Sequence, residues 1–277
     1  MHRVPAGDAG IPALGVGTFQ LSEEQARETV ETALELGYRH VDTAEYYGNE
    51  RGVGEGIARS PVDRDEVFLT TKVWRSNLSR GDVRPAVEAS LDRLGVDSVD
   101  LLLFHLPHTR VPVEETLSVM EELRAEGRIE HVGVSNFTRS QLEDAMAVAD
   151  APIVTDQVLY HPFKDQRNLR EYCAAEGVAL TAYSPLAQGT VVGNAELAAI
   201  GERYEKTAPQ VALRWLVQQE EVVAIPRSTS REHLADNLAV FDFELTDEEM
   251  AQVDGLTGGL KTRVGNVLAS LMRSFPL

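Results

Sequence analysis

Cysteine and long apolar runs are scarce in this 277-residue sequence. Its one cysteine, Cys173, cannot form a disulfide within the chain, and the setting LREYCAAEG predicts a buried thiol on a helix face. There is no run of about 18 apolar residues, and the N-terminal segment MHRVPAGDAGIPALG lacks the apolar core of a signal peptide. We therefore expect a cytoplasmic protein that does not insert into membranes.

Positive charge is scarce as well. The 26 Lys and Arg residues are outnumbered by 44 Asp and Glu residues, which gives a formal net charge of -18. This charge repels nucleic acids and anionic membrane surfaces, so neither is an expected partner, and an anionic ligand would need a local cationic site. The acidic composition, with few lysines, suggests a salt-rich cytoplasm. The lysines are Lys72, Lys164, Lys206 and Lys261.

Strand-like and helix-like segments alternate along the chain. The eight strand-like segments are ALGVGTF, YRHVDTA, VFLTTKV, SVDLLLFH, IEHVGVSN, PIVTDQVL, VALTAYSPL and VVAIPRS. The first helical segment, SEEQARETVETALELG, has Ser22 to cap its start and Gly37 to end it. Further helices are predicted to begin near Gly81, Pro112, Thr138, Gln166, Ala195, Thr207 and Ser230.

Strands this rich in Val, Ile and Leu are typical of a parallel sheet buried on both faces. Eight strand-helix repeats without a linker predict an α/β fold, a single (β/α)8 TIM barrel over residues 1–277. An open doubly wound sheet is the alternative, but GVGTFQLSEE after its first strand lacks the third glycine of a dinucleotide turn. The glycines at 52–56 (GVGEG) lie in a helical pattern, which makes a nucleotide loop there a weak hypothesis.

Polar side chains fall at the ends of three neighbouring strands. Asp42 ends the second strand, Lys72 the third and His105 the fourth, and Tyr47 follows Asp42 across a turn. In a barrel these strand ends form one rim, where active sites lie. Singly, each residue has a structural explanation, such as an ion pair or a buried histidine. Together they indicate a site.

The chemistry that these four residues support is proton donation by a phenol. A tyrosine with a pKa of about 10 is a weak acid at neutral pH, so we expect Lys72, held by Asp42, to lower the pKa of Tyr47. A neutral His105 would orient a carbonyl oxygen, and hydride would have to come from a cofactor. A Schiff-base aldolase that uses Lys72 is an alternative. His105 and His108 lack an obvious third ligand, so no metal site is expected.

Seven ordered motifs carry a resemblance to a known family: GYRHVDTAEYYGNE, LTTKVW, LLLFHLPH, GVSNF, DQVLYHPF, TAYSPLAQG and IPRSTS. In order and spacing the chain resembles the aldo-keto reductase family over nearly its whole length. The resemblance implies reduction of small-molecule aldehydes or ketones with a nicotinamide cofactor. It places the catalytic tetrad on Asp42, Tyr47, Lys72 and His105, with the second of the paired tyrosines as the acid.

Barrels often bind phosphate in the loops after strands seven and eight, where Arg227 supplies positive charge and a helix begins near Ser230. The resemblance adds the remaining contacts. Tyr183 would stack on the nicotinamide, while Asn237 would meet the adenine. The carboxamide would be held by Ser135, Asn136 and Gln157, the pyrophosphate region by Ser184 and Leu186, and the phosphate site by Arg227, Ser228 and His233.

Two of these residues depart from the family pattern. Arg227 replaces the usual lysine and keeps the charge, whereas His233 replaces the arginine that contacts the 2'-phosphate of NADP. A neutral imidazole attracts phosphate far less than a guanidinium does. We therefore expect NADPH as the cofactor, with NADH also accepted and a weaker preference between them than the family shows.

The substrate pocket is expected to be apolar and roomy, because its predicted walls are Phe19, Trp74 and Leu106, where the family often has tryptophan at the first and last places. A short N-terminal hairpin and a C-terminal tail over the barrel mouth are further expectations. The apolar residues of the tail would cover the pocket or pack on the outer helices: Leu260, Val264, Val267, Leu268, Leu271 and Phe275. A monomer or weak homodimer is expected. The alternative function is a non-catalytic nicotinamide-binding regulatory or structural protein on the same barrel.

Overall fold

A barrel of parallel strands surrounded by helices forms the centre of the structure, a computed structural model that describes residues 2–257. The strands are β1 (Arg3–Ala6), β2 (Ala9–Pro12), β3 (Val16–Gly17), β4 (His40–Asp42), β5 (Phe68–Val73), β6 (Val99–Phe104), β7 (Ile129–Ser135), β8 (Ile153–Leu159), β9 (Ala179–Tyr183) and β10 (Val222–Ile225). The helices are α1 (Glu23–Leu36), α2 (Glu50–Arg59), α3 (Val83–Leu94), α4 (Val113–Ala125), α5 (Arg139–Val148), α6 (Arg167–Glu176), α7 (Ala195–Gly201), α8 (Ala208–Val217), α9 (Arg231–Leu238) and α10 (Asp247–Asp254).

Strands β3 to β10 lie side by side in chain order, and every neighbouring pair is parallel. The sheet closes where Leu14, just before β3, forms a parallel bridge with Ala224 of β10. Two further bonds join the same edges: Gly15 N donates to Ala224 O over 2.8 Å, and Gly17 N donates to Pro226 O over 3.0 Å. The predicted (β/α)8 barrel is confirmed, and the open doubly wound sheet is excluded.

All eight barrel strands are shorter than the segments that the sequence pattern predicts, and the ends of three of them have a clear description. The first barrel strand covers only Val16–Gly17 of the predicted residues 13–19, so Phe19 lies two residues beyond its end. Strand β9 ends at Tyr183, because Ser184 adopts a left-handed conformation with φ of 50°. Strand β10 ends before Pro226, which has no N–H to donate to a neighbouring strand.

The predicted helix ends are confirmed at α1. Ser22 accepts a hydrogen bond from Gln25 N, and Gly37 ends the helix with φ of 111°, a conformation that glycine adopts without strain. The GVGEG segment lies within α2 and is not a nucleotide loop. A Cβ atom at Gly54 would overlap the carbonyl oxygen of Leu94, and one at Gly52 would overlap that of Glu23. These glycines therefore allow α2 to pack closely against its neighbours.

Two apolar layers hold the fold together. The larger lies between the strands and the surrounding helices and includes Cys173, which is buried as predicted. The smaller lies inside the barrel at the amino ends of the strands, where Val4 and Ile11 of the β1–β2 hairpin pack with Phe68 and Leu101. The predicted N-terminal hairpin is confirmed, and it covers the end of the barrel opposite the predicted site.

The predicted C-terminal covering segment, with Leu260, Val264, Val267, Leu268, Leu271 and Phe275, lies outside the described residues. Among residues 2–257, no helix has the length and apolar character needed to cross a membrane.

Candidate active site

The four residues predicted to form the site meet at the carboxyl ends of three adjacent strands. Asp42 is the last residue of β4, Lys72 lies one residue before the end of β5, and His105 directly follows β6. Tyr47 belongs to a short 3-10 turn, Glu45–Tyr47, that follows β4. Because neighbouring parallel strands end at the same edge, the fold brings residues distant in sequence to one rim.

An ion pair lies at the base of this site. Lys72 Nζ lies 2.6 Å from Asp42 Oδ1 and donates to Thr43 O over 2.7 Å, and the two charged side chains are only 1% and 2% exposed. The second carboxylate oxygen, Oδ2, accepts a 2.7 Å bond from Gln157 Nε2. Burying a charge costs free energy unless it is paired and hydrogen-bonded, and here both conditions are met.

Tyr47 extends over this ion pair. Its phenolic oxygen is 3.5 Å from Lys72 Nζ, a longer distance than the lysine makes to Asp42. The expectation of a lowered pKa for Tyr47 is wrong, because the effects that raise the pKa are larger than any lowering by Lys72. Burial, the negative charge of Asp42 and the proximity of Tyr183 raise the pKa of Tyr47 well above its usual value. The phenol is therefore firmly protonated, and the lysine serves mainly the carboxylate.

His105 completes the group as a neutral imidazole. Burial, with a smaller effect from the Lys72 charge, lowers the pKa of His105 to about 3. Its ring packs edge-on against Tyr47, with 5.5 Å between centroids. Nδ1 is buried without a hydrogen-bond partner among the described residues. Nε2 is not fully buried. Nε2 is thus the ring nitrogen accessible to a ligand.

The turn that carries Tyr47 is anchored by Asn49. Its amide nitrogen donates to Thr18 O over 2.9 Å and to Leu21 O over 3.0 Å, and its amide oxygen accepts from Thr43 Oγ1 over 3.2 Å. These bonds tie the segment after β4 to the segment after β3. Asn49 is not among the predicted site residues, although an asparagine directly after Gly48 in a turn is a signal for such side-chain bonding.

Aromatic rings surround the four residues. Phe19 is 37% exposed and its ring centroid lies 5.1 Å from that of Tyr47. The Trp74 ring meets His105 edge-on at 4.9 Å, and Tyr46, 57% exposed, stacks on Trp74 at 3.9 Å. Leu106 is half-buried next to His105. Aromatic and aliphatic side chains thus lie around the catalytic group, and Tyr46 adds a ring to the predicted set.

Comparison with known proteins agrees with this geometry. The model of the Aldo/keto reductase family matches residues 10–257. The chain belongs to the aldo/keto reductase family. It is 40% identical over 247 residues to the glyoxal reductase of Bacillus subtilis (strain 168), covering 89% of each chain. It is 40% identical over 249 residues to methylglyoxal reductase DkgB of Salmonella typhi, covering 89% of this chain and 93% of that protein.

A solved structure shares both fold and sequence with this aldo/keto reductase. A protein provisionally named 2,5-diketo-D-gluconic acid reductase B superposes with a TM-score of 0.92 at 46% identity, covering 94% of this chain and 92% of that one. The predicted family is thus confirmed. Members of this family are oxidoreductases that act on carbonyl compounds with nicotinamide cofactors.

Four of the residues predicted to bind the cofactor are linked by hydrogen bonds into a layer at the ends of β7, β8 and β9. Ser135 Oγ donates to Gln157 O over 2.7 Å, and Asn136 Nδ2 donates to Ser135 Oγ over 2.9 Å. Tyr183 Oη donates to Asn136 Oδ1 over 2.9 Å. Asn136 has a left-handed φ of 62°, which turns its amide into this network. The layer offers a half-buried ring beside amide groups, a donor set that suits a nicotinamide carboxamide.

The rest of the predicted cofactor residues follow β9 and β10. Ser184 and Leu186 are half-buried after β9. Arg227 is exposed after β10 and makes no ion pair with any residue from 2 to 257, and Ser228 Oγ accepts from Ser230 N over 3.1 Å. The open guanidinium suits a phosphate.

Two predicted cofactor residues lie on α9. His233 is exposed in its first turn, and Asn237 is 4% exposed.

Two alternatives from the sequence have little geometric support in this aldo/keto reductase. Lys72 Nζ is buried and bonded to two oxygen atoms, which leaves it poorly placed to form a Schiff base. His108 Nδ1 accepts from the backbone N–H groups of Arg110 and Val111. Across residues 2–257, no group of three or more His, Cys, Asp or Glu side chains is arranged to hold a metal ion.

Proposed function

We propose that this protein reduces aldehydes and ketones to alcohols with NADPH, and that Tyr47 is the general acid. The observation that carries the proposal is the meeting of four side chains at one rim. Lys72 Nζ lies 2.6 Å from Asp42 Oδ1 and 3.5 Å from Tyr47 Oη, and the Tyr47 ring contacts His105. The bound cofactor would supply hydride to the carbonyl carbon.

Each residue then has a separate task at the carbonyl oxygen. The neutral His105 ring carries one proton, and placing it on the accessible Nε2 avoids burying an unpaired N–H at Nδ1. Nε2–H can then donate to the carbonyl oxygen and orient it. Tyr47 donates its proton to the same oxygen as negative charge develops there. A raised pKa does not prevent this transfer, because burial disfavours the alkoxide that forms in the same site as well as the phenolate.

Lys72 acts after the proton leaves Tyr47. The phenolate that forms in a buried setting needs a nearby positive charge, and Lys72 Nζ at 3.5 Å supplies it. Asp42 keeps the lysine charged and in place, and Gln157 holds Asp42 through its second oxygen. Asp42, Tyr47, Lys72 and His105 thus form a proton relay in which each of the buried charges has a partner.

The preference for NADPH is expected to be modest. Arg227 supplies an exposed guanidinium for a phosphate, but His233 contributes far less attraction than an arginine at that place would. Glyoxal and methylglyoxal, the compounds after which two relatives are named, are reasonable first substrates together with a generic aromatic aldehyde.

The test is Tyr47→Phe, assayed with both reduced cofactors. Loss of the phenol should lower kcat by about 10²- to 10⁴-fold, the usual contribution of a positioned acid, while fluorescence titration shows unchanged cofactor binding. NADPH should exceed NADH in kcat/KM by less than about three decades. Near-normal turnover by the variant would refute the role of Tyr47. Cofactor binding without turnover of any carbonyl compound by the wild type would favour a non-catalytic binding protein.

A further inference from the structure

A second buried carboxylate lies close to the catalytic ion pair and has no role in the proposed proton relay. Glu50 is the first residue of α2, and its side chain is fully buried. Burying a carboxylate costs free energy unless it is paired and hydrogen-bonded. The partners of Glu50 therefore show which part of the protein its charge acts on.

Both carboxylate oxygens of Glu50 have partners. Oε1 accepts a 2.6 Å bond from Thr71 Oγ1, and Oε2 accepts a 2.8 Å bond from Arg93 Nε and lies 2.6 Å from Arg93 Nη2. Arg93 also donates to Ser90 Oγ over 2.9 Å, within α3. The side chain of Arg93 is 36% exposed. Solvent therefore screens the positive charge of this pair more than the buried negative charge.

Thr71 connects the pair to the catalytic lysine. Thr71 and Lys72 are consecutive in β5, and neighbouring side chains of a strand point to opposite faces. Lys72 points into the barrel, where it meets Asp42, and Thr71 points outward to Glu50. Burial lowers the pKa of Lys72, and this effect is opposed by Asp42 and, to a smaller extent, by Glu50. The ammonium group thus has one carboxylate in contact with it and a second one behind its strand.

Glu50 also helps to fix the turn that carries Tyr47. It directly follows Asn49, whose amide nitrogen donates to Thr18 O and Leu21 O. Asn49 and Glu50 are both only 1% exposed. The first holds the turn to the segment after β3, and the second holds the start of α2 to β5 and α3.

We propose that Glu50 is a positioning residue of the reductase that acts through Lys72. The inference rests on the proposed function. From outside the barrel, the Glu50 carboxylate supplies a second buried negative charge behind the ammonium group. Its bonds also fix the strand that carries Lys72 and the turn that carries Tyr47.

Other titratable groups also face Lys72. His105 and His40 are neutral at pH 7, because burial lowers their pKa values to about 3 and about 4. Asp42 and Glu50 are the carboxylates that favour the ammonium form. By element, the groups around Lys72 are His40 and Asp42 of β4, Tyr47 of the turn after β4, His105 after β6, Glu50 of α2 and, behind Glu50, Arg93 of α3.

The direct test follows the protonation of Lys72 without cofactor or turnover. The chain has four lysines, so Lys164→Arg, Lys206→Arg and Lys261→Arg together leave Lys72 as the remaining lysine. Its ¹³Cε NMR signal can then be followed against pH. In this background, Glu50→Gln keeps the length of the side chain and removes its charge. The pH at which the Lys72 signal changes should fall by about one unit, because the ammonium form loses a favourable charge.

Asp100 provides a matched control, because it also pairs with an arginine and bonds to β5. Asp100 Oδ2 lies 2.8 Å from Arg64 Nη2 and accepts a 2.9 Å bond from Leu69 N, near the start of the strand. Asp100→Asn should lower Tm and leave the Lys72 signal with the wild-type transition. A purely structural role for Glu50 would make the two variants alike.

The kinetic test measures kcat and KM for 4-nitrobenzaldehyde against pH with saturating NADPH. Glu50→Gln should lose kcat at a pH about one unit lower than the wild type does. Below that pH, KM should be unchanged, because the residue lies outside the barrel. The double variant Glu50→Gln with Arg93→Met removes both charges of the pair and should shift the profile in the same direction. It serves as the second variant should Glu50→Gln alone not fold.

The two proposals fail in different ways. If the wild type reduces no carbonyl compound, the proposed function fails, whatever the NMR titration shows. If the enzyme is active but Glu50→Gln leaves the Lys72 transition and the pH profile at the wild-type values, Glu50 does not act through Lys72. A lower kcat at every pH with an unmoved profile would overturn the inference equally, since it would reflect a structural role alone.

Discussion

The buried ion pair between Lys72 and Asp42 shows how a functional requirement constrains single residues. Both side chains are almost fully buried, and each needs the other to remain charged. Lys72→Met should therefore lower the free energy of unfolding by about 3–5 kcal/mol, because it leaves the carboxylate of Asp42 buried without its cation. It should also abolish reduction. Urea unfolding together with a turnover assay measures both effects.

The double variant Lys72→Met with Asp42→Asn separates the two effects. Removing both charges together leaves no buried unpaired ion, so the double variant should recover a substantial part of the lost stability. Activity should not return, since neither residue can then stabilise a phenolate at Tyr47. If the double variant is as unstable as Lys72→Met alone, the unpaired carboxylate is not the cause of the loss.

At the scale of elements, the sequence was most informative where the fold is most regular. The order of the strands could be predicted from apolar runs, although not every strand end could. Because parallel strands end at one rim, this pattern was enough to place Asp42, Lys72 and His105 together. Loop contacts could not be predicted in this way. The Glu45 bond to Trp74 N spans 29 positions in the sequence and depends on how two loops fold toward each other.

The pKa of Tyr47 was predicted in the wrong direction for a related reason. A sequence shows that Lys72, Asp42 and Tyr47 come close, but not which of them the ammonium group approaches most closely. The 2.6 Å contact to Asp42 and the 3.5 Å distance to Tyr47 decide this, together with burial of the phenol.

Neighbouring residues of strand β8 direct their side chains to opposite sides of the sheet. Gln157 directs its amide to Asp42 in the site, and its neighbour Asp156 accepts from Phe137 N over 3.4 Å, beside the turn after β7. Asp156 Oδ2 is buried without a partner among the described residues. Burial raises the pKa of Asp156 to about 8, so the carboxyl is protonated in the native protein at neutral pH.

This carboxyl should make stability depend on pH. Between about pH 4 and pH 8 the unfolded chain loses the proton that the native protein keeps, so the free energy of unfolding falls as pH rises, by at most about 1.4 kcal/mol per unit. Asp156→Asn removes the titrating group and should be more stable than the wild type, by a margin that grows with pH across this window. Urea unfolding at pH 5, 6.5 and 8 tests it, and a constant margin would contradict the assignment.

For the whole molecule, the net charge of -18 outweighs the individual surface ion pairs. Exposed pairs such as Arg139 with Glu143 and Arg80 with Glu122 contribute little to stability, and salt weakens them. Repulsion among the excess carboxylates acts over the whole surface and is also screened by salt, which favours the compact state. Screening of this repulsion should outweigh the weakening of the ion pairs, because acidic residues greatly outnumber basic ones.

The free energy of unfolding should therefore rise as NaCl is added to dilute buffer. Most of the gain should come below about 0.15 M, where the Debye length falls from about 30 Å to about 8 Å. KCl should act equally, since the effect is screening. Glu88→Gln, Asp144→Asn and Glu196→Gln together remove three exposed carboxylates that pair with no cation among the described residues, and should reduce the salt response. A fall in stability on adding salt would mean that ion pairs, not net charge, dominate this surface.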